Sequence, residues 1–227
     1  MKLHLLVLIP AYNEAAAIQR VVTESLSHLP VLVVDDGSQD ETASLAEAAG
    51  AVVLVQNPNQ GKGAALRRGF VWALENGYDG VIALDGDGQH DPAEIPAFAA
   101  LFERTQPDLI IGHRSFDKMP FWRWLGNNLG FRIFSWAMDT RILDNQSGYR
   151  LTSRRLMERL LAGKESGYEF EMEEIVSCVE AGYNLAWTPI RTIYAGEASH
   201  IRPIHHIVNF VRVAWQTKMR LMKRDWK

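Results

Sequence analysis

Short apolar runs alternate with helical patterns through the first half of the chain. Five runs rich in Val, Ile and Leu are bounded by turn-forming residues, as buried strands are: residues 3–9, 31–35, 51–56, 79–85 and 107–112. Between them, apolar residues recur at helical spacing, as at Ile18, Val21 and Val22. This alternation predicts an α/β fold with a mostly parallel, Rossmann-like sheet and helices on both faces.

The second half of the chain is less regular. Residues 147–163 predict a short strand and a helix, residues 168–183 an acidic amphipathic helix, and residues 184–194 a final pair of strands. We therefore expect one α/β domain over residues 1–199, followed by a separate C-terminal helix over residues 200–227.

Polar clusters follow four of the predicted strands. They are residues 10–14, 35–40, 85–91 and 112–114. Because ligands of parallel α/β sheets bind at the carboxyl ends of the strands, these clusters predict one pocket at that edge.

Composition bears on the cellular compartment in which we expect the protein. Of 227 residues, 47% are hydrophobic, as in ordinary globular proteins, and the single cysteine cannot form an intramolecular disulfide. No run approaches the roughly 18 apolar residues of a membrane span. We expect a cytoplasmic protein.

Charge is distributed unevenly along the chain. Residues 200–227 hold seven Lys and Arg against one Asp, whereas the whole chain has a net charge of −3. An acidic body does not suit nucleic-acid binding. The basic C-terminal helix, with Trp215 among its apolar positions, suits a peripheral contact with the inner face of a membrane, and the aromatic stretch 121–136 would add a second lipid-facing surface. Packing on its own domain, or a homodimer contact, is the alternative.

Asp85 and Asp87 follow the fourth predicted strand directly. Residues two apart in an extended chain share a face, so the two carboxylates would lie together and need a positive partner. Mg²⁺ or Mn²⁺ would suit them, with the Gln89 side-chain oxygen on the same face as a further ligand. His90 is expected to be structural, and Asp91 fits a helix cap. The spacing excludes a calcium-binding EF-hand loop, which needs Gly and Glu at fixed later positions.

Lys62 lies in "NQGKGAALRRG", at the start of a predicted helix, where it would approach an anion; a solvated lysine in a turn is the alternative. The spacing around it does not match a P-loop, and no G-x-G-x-x-G follows the first strand, which argues against a nicotinamide enzyme.

Six segments together carry a resemblance to a known family. They are "PAYNE", "VVDDGSQD", "NQGKGAALRRG", "LDGDGQH", "IGHR" and "DNQSGYR". In this order they resemble the inverting family-2 glycosyltransferases of GT-A fold, most nearly the dolichyl- and polyprenyl-phosphate sugar transferases. The resemblance implies a hexose transfer from a GDP- or UDP-sugar donor to a polyprenyl or dolichyl phosphate.

The resemblance also implies roles for individual residues. Those that would line the nucleotide are Pro10, Tyr12, Glu14, Val34 and Asp36. Those that would hold the metal against the diphosphate are Asp85, Asp87 and Gln89, with Gly86 between the two carboxylates. Those that would bind the phosphates or shape the sugar pocket are Lys62, Arg114, Arg123, Asp144, Ser147, Gly148, His200 and Arg202.

Several of these residues have plainer explanations. Pro10 and Gly148 would serve equally as turn residues, Tyr12 as packing, and Arg123 as a surface residue. His200 stands where similar proteins often carry Lys, and an imidazole is only partly cationic near neutral pH.

The type of acceptor separates two versions of the reaction. A phosphate monoester is already an anionic nucleophile at neutral pH and needs cationic docking. A hydroxyl of a glycan or lipid needs a general base, for which Glu171 and Glu173 are candidates. Otherwise these glutamates form the polar face of a helix or orient arginines. A protein that binds nucleotide sugars without turnover is the non-enzymatic alternative.

Overall fold

The computed structural model describes residues 3–114, 132, 134–163, 170–191, 215, 218 and 219. In this part of the chain one seven-stranded sheet has the spatial order β3-β2-β1-β4-β6-β5-β7. Its strands are β1 (Leu5–Ala11), β2 (Val31–Asp35), β3 (Val52–Val55), β4 (Gly80–Ala83), β5 (Leu109–Arg114), β6 (Arg150–Ser153) and β7 (Leu185–Ile190). Neighbouring strands are parallel, except that β6 is antiparallel to both β4 and β5.

Helices cover both faces of this sheet. They are α1 (Ile18–Leu26), α2 (Thr42–Ala48), α3 (Lys62–Glu75), α4 (Ile95–Thr105), α5 (Arg154–Ala162) and α6 (Phe170–Glu180). A short 3₁₀ turn, Pro92–Glu94, precedes α4, and Asp91 caps it by accepting a hydrogen bond from the backbone N–H of Ala93. Asp91 is thus the cap that the sequence predicts.

The strands alternate their side chains between two apolar layers. In β1, Leu6 and Leu8 pack with α3, α5 and α6, whereas Val7 and Ile9 pack with α1, α2 and α4. A strand covered on both faces must be apolar at every position, which explains why the predicted strands read as continuous runs. Helix α3 lies directly on β1, because a Cβ at Gly69 would overlap the Leu8 side chain.

The predicted α/β alternation is confirmed, with three differences. Strand β5 continues to Arg114, so the polar cluster at 112–114 is part of the strand. Strand β6 is inserted antiparallel between β4 and β5, so its beginning reaches the edge where the parallel strands end. Of the predicted final pair, β7 forms, and residues 192–194 lie outside the described residues.

Several predictions fall on positions that are not described. Arg123, His200, Arg202 and the expected boundary at residue 199 lie outside the described residues. Among the residues that are described, no helix is long and apolar enough to cross a membrane.

Candidate active site

The loops after β1 and β2 are joined by hydrogen bonds at the carboxyl edge of the sheet. The backbone N–H of Asn13 donates to Ser38 Oγ (2.9 Å), and Asn13 Oδ1 accepts from the backbone N–H of Gln39 (2.8 Å). The backbone N–H of Glu14 donates to Thr42 Oγ1 (2.8 Å). These bonds fix the two loops against each other. We call these loops the nucleoside half of the site.

The residues expected to line the nucleotide reach this half. Pro10 in β1 and Val34 in β2 are buried and lie opposite each other in the parallel pairing. Tyr12 follows at the end of β1 with 44% of its surface exposed, so its ring is available to a ligand rather than packed in the core.

Asp36 organises the neighbouring loop. Its carboxylate accepts hydrogen bonds from the backbone N–H groups of Gln60 (2.8 Å) and Gly61 (2.7 Å), and from the Gln56 side chain. The residue is buried, and its bonds hold the segment that leads into α3. Asp36 therefore holds the segment directly before Lys62, which is the first residue of that helix.

The acidic loop after β4 turns sharply instead of staying extended. Strand β4 ends at Ala83, a turn follows at residues 86–87, and Gly88 has a φ of +78°. Asp87 Oδ1 accepts a hydrogen bond from the backbone N–H of Gln89 (2.8 Å), which closes the turn. The prediction that Asp85, Asp87 and Gln89 share the face of an extended strand is wrong, because the glycines allow the chain to reverse. Gly86 packs against the Glu14 side chain.

Lys62 is the positive partner that the acidic loop requires. Its Nζ lies 2.6 Å from Asp85 Oδ1 and 3.0 Å from Glu171 Oε1, so it is not a solvated lysine. Burial acts to lower the pKa of Lys62, but the two carboxylates outweigh it and raise that pKa above its usual value. Burial acts to raise the pKa of Asp85 and of Glu171, yet the Lys62 ammonium holds both below their usual range. All three groups are therefore charged at neutral pH.

Gly148 completes this cluster by leaving space. A Cβ at position 148 would lie 2.8 Å from Lys62 Nζ and 3.0 Å from Asp85 Oδ2. A side chain here would displace the ion pair, so Gly148 does more than form a turn. We call Lys62, Asp85, Gly148 and Glu171 the charged half of the site.

His90 holds the acidic loop through a hydrogen bond to its backbone. Its Nδ1 accepts a hydrogen bond from the backbone N–H of Asp85 (3.1 Å), and its ring packs against Tyr149. Burial lowers the pKa of His90. Because Nδ1 accepts this hydrogen bond, it carries no proton and the imidazole ring is neutral. The 3.7 Å distance between His90 Nδ1 and Asp85 Oδ2 is therefore not an ion pair. The structural role predicted for His90 agrees with these contacts.

Arg114 and Asp144 form the next ion pair along the edge. Arg114 Nε donates to Asp144 Oδ2 (2.9 Å), and Nη2 donates to Oδ1 (3.2 Å). Asp144 also accepts from the backbone N–H groups of Gln146 (3.0 Å) and Ser147 (3.1 Å). The Ser147 hydroxyl is buried and has no hydrogen-bond partner in the described residues. Such a group is available to a ligand that enters the pocket.

Arg150 holds parts of the site together, and the sequence analysis did not identify it. It is 1% exposed, and its guanidinium donates to the backbone oxygens of Asn145, Ser147 and Glu171. It therefore ties the Asp144 loop to the beginning of α6. Its side chain also pairs with Glu174 (3.3 Å), whose pKa is raised by burial. The sequence feature that could have indicated this role is an arginine at the start of a buried strand, directly after "QSGY".

Glu173 orients an arginine. Its carboxylate pairs with Arg67 of α3 (2.5 Å), which also donates to the backbone oxygen of Leu160 (2.6 Å). Of the three uses suggested for this glutamate, the structure shows the pairing with an arginine.

The donor set at this edge fits a divalent ion that is shared with a substrate. The described residues contain no group of three or more His, Cys, Asp or Glu side chains placed to hold a metal. Magnesium, however, commonly takes one or two carboxylates and fills its other positions with water and phosphate oxygens. Asp85 and Asp87, both partly exposed beside the pocket, meet that requirement.

The chain belongs to glycosyl transferase family 2, which it matches over residues 6–161. It is 33% identical to the uncharacterized protein MJ1222 of Methanocaldococcus jannaschii, over 90% of this chain and 87% of that protein. It is 29% identical to polyprenol monophosphomannose synthase of Mycolicibacterium smegmatis, over 82% of this chain and 76% of the synthase.

It is 28% identical to UDP-N-acetylglucosamine–dolichyl-phosphate N-acetylglucosaminyltransferase of Methanococcus voltae, over 89% of this chain and 90% of that enzyme. Among solved structures, it resembles glucosyl-3-phosphoglycerate synthase of Mycobacterium tuberculosis in complex with Mn²⁺ and UDP-glucose. The TM-score is 0.69 at 22% identity, over 92% of this chain and 75% of that chain. The fold is therefore GT-A, as the sequence predicts.

Proposed function

We propose that this family-2 glycosyltransferase moves a hexose from a GDP- or UDP-sugar to a polyprenyl or dolichyl phosphate, with inversion at the sugar. The observation that carries the proposal is the partly exposed Asp85–Asp87 loop, which lies between the nucleoside half and the Arg114–Asp144 pair. A diphosphate placed against this loop would have its base over Tyr12 and its sugar toward Ser147. Relatives named for polyprenol and dolichyl phosphate support the acceptor.

Each half of the site supplies one part of the chemistry. Tyr12 would contact the nucleoside, with the buried Pro10 and Val34 beneath it, while Glu14 and Asp36 hold the loops that receive it.

Asp85 and Asp87 would hold Mg²⁺ or Mn²⁺, with the Gln89 oxygen as a further ligand. When bound, that cation neutralises the charge that develops on the departing nucleoside diphosphate. Asp144, Ser147 and Gly148 would surround the hexose.

A phosphate acceptor fits the site better than a hydroxyl acceptor. A hydroxyl needs a general base, but Glu171 is paired with Lys62 and its pKa is held low. Glu173 is paired with Arg67 (2.5 Å). A phosphate monoester needs cations instead. Arg114 is 33% exposed and pairs with Asp144 through Nε and Nη2, so among the described residues Nη1 has no partner and could bind the acceptor.

Arg123, His200 and Arg202 would add charge for docking the acceptor. Their contribution rests on the family resemblance.

The C-terminal helix would keep the enzyme at the cytoplasmic face of the membrane. Lys218 Nζ lies 3.2 Å from Asp139 Oδ1 and 5.5 Å from the centre of the Trp136 ring. Lys218 thus contacts its own domain, yet Trp136, Trp215 and Met219 are exposed. Exposed tryptophans next to a basic segment suit an interface with anionic lipid.

A direct test combines purified protein, Mn²⁺, labelled UDP- or GDP-hexoses and undecaprenyl or dolichyl phosphate. We expect label in a lipid-linked sugar phosphate with one donor, and loss of that product when the metal is chelated. Label appearing only on a glycan or lipid hydroxyl, with strong loss in Glu173→Gln, would establish the alternative acceptor. Binding to vesicles that contain anionic lipid, compared with neutral vesicles, tests the membrane contact.

A further inference from the structure

Lys62 occupies the carboxylate that the proposed metal needs. Its ammonium lies 2.6 Å from Asp85 Oδ1, in direct contact with the oxygen. A divalent ion bound to that oxygen would bring two cations to one carboxylate at contact distance, where like charges repel strongly. An ion on Asp85 Oδ1 would therefore displace Lys62 from that oxygen. An ion held by Oδ2 alone would leave the lysine in place, and the proposal requires the first arrangement.

Glu171 gives Lys62 a second position. The ammonium lies 3.0 Å from Glu171 Oε1, an oxygen that does not belong to the acidic loop. If the Asp85 contact breaks, the lysine remains paired and does not need to enter solvent. Arg150 fixes the backbone of Glu171, so this second carboxylate is held in place.

The space around Lys62 fits such an exchange. Lys62 Nζ and Asp85 Oδ2 lie close to where a Cβ at position 148 would stand, at 2.8 and 3.0 Å, so the absent side chain of Gly148 lets both groups approach this point. The lysine side chain is also 39% exposed, so protein atoms do not enclose it on every side.

We propose that Lys62 is a built-in competitor for the metal: it neutralises Asp85 while the site is empty and moves onto Glu171 when the ion binds. This inference rests on the proposed function only in taking Asp85 as a metal ligand. Its consequence is that the free protein binds the ion weakly. Tight binding then requires the donor diphosphate, whose oxygens add to Asp85 and Asp87.

The test measures Mn²⁺ affinity by electron paramagnetic resonance, without nucleotide or lipid. Lys62→Met should bind Mn²⁺ about tenfold more tightly than the unmodified protein, or better, which is the size of effect that a contacting charge has on a carboxylate. Arg68→Met is the matched control. It removes one positive charge from the same helix, where Arg68 donates to the Val55 backbone oxygen, and should leave Mn²⁺ affinity unchanged. Equal or weaker binding by Lys62→Met would overturn the proposal.

A double-mutant cycle separates competition from general electrostatics. Glu171→Gln removes the second position, so Lys62 should stay on Asp85 and Mn²⁺ should bind more weakly. In the Lys62→Met background, the same Glu171→Gln change should have no effect on Mn²⁺ affinity. Equal weakening in both backgrounds would contradict the proposal, because Glu171 would then act on the ion through space.

A crystal structure with Mn²⁺ alone provides a readout that needs no variant. Lys62 Nζ should lie beyond 4 Å from Asp85 and within hydrogen-bond distance of Glu171. An ion bound to Asp85 with the lysine unmoved would contradict the proposal. Because none of these measurements involves sugar transfer, they distinguish failure of this inference from failure of the proposed function.

Discussion

The two halves of the site are held by different forces. In the nucleoside half, backbone N–H groups donate to Ser38, Thr42 and Asp36, so the loops are fixed by hydrogen bonds that no ligand needs to break. In the charged half, Lys62 and its two carboxylates hold one another through ion pairs. A charged ligand can replace a partner in an ion pair, whereas it replaces no partner in the hydrogen bonds that join the two loops. If the proposed function holds, the nucleoside would bind to preformed loops, and the charged half would rearrange when the ion binds.

The largest expected effect is at the acidic loop, next to the charged half. Asp87→Asn should reduce sugar transfer by about a thousandfold, comparable to the loss of a group that stabilises developing charge. Its melting temperature should stay near that of the unmodified protein, because Asp87 is partly exposed and only closes a local turn. Asp91→Asn, the matched acid four residues further on, should keep both transfer and the helix cap, because asparagine caps a helix about as well as aspartate. Substantial transfer by Asp87→Asn would remove this residue from the reaction.

Arg150→Met should give the largest loss of stability. It leaves Glu174 buried without its cation and three backbone oxygens without their donor, at a cost of about 3–5 kcal/mol in the free energy of unfolding. Urea denaturation measures this. Arg159→Met, an exposed arginine that donates to the Ser177 backbone oxygen, should cost about 1 kcal/mol or less. Similar losses in both variants would show that Arg150 does not organise the charged half.

A smaller effect is expected in the nucleoside half. Asp36→Asn replaces the charged acceptor of the Gln60 and Gly61 N–H groups, which should cost about 1–2 kcal/mol of stability. Donor affinity should fall, since the segment leading into α3 loosens, whereas Mn²⁺ affinity of the free protein should change little. Calorimetric titration with nucleoside diphosphate and with Mn²⁺ measures both. A large loss of Mn²⁺ affinity would mean that the two halves are not independent.

The smallest effect is expected at the opposite edge of the sheet. Burial acts to raise the pKa of Asp108, but hydrogen bonds from Arg155, Asn184 and Ser153 hold that pKa below the ordinary 3.8. A lowered pKa adds stability above the unfolded value, and that stability is lost as the pH falls through the folded pKa. Asp108→Asn should therefore flatten the fall in melting temperature below about pH 4, with transfer unchanged. If the melting temperature of Asp108→Asn fell as steeply at low pH as that of the unmodified protein, this contribution would be excluded.

The sequence predicted the elements far better than the contacts between them. Strands such as β1 and β2 were predictable because burial on both faces requires continuous apolar residues. The short strand β6 was also predicted as an element, but its antiparallel place between β4 and β5 was not, because that place depends on tertiary pairing. For the site, the convergence of loops followed from strand polarity. The Lys62 contacts did not, because Asp85 and Glu171 come from distant parts of the chain.

The proposed sugar transfer depends most on the cation at the acidic loop. Its most direct test is a crystal structure of the protein with Mn²⁺ and UDP or GDP, in which anomalous scattering locates the metal. We expect the manganese to lie between the diphosphate and the carboxylates of Asp85 and Asp87, with the nucleoside beside Tyr12. Nucleotide bound in this pocket with the metal absent, or held by other residues, would contradict the account.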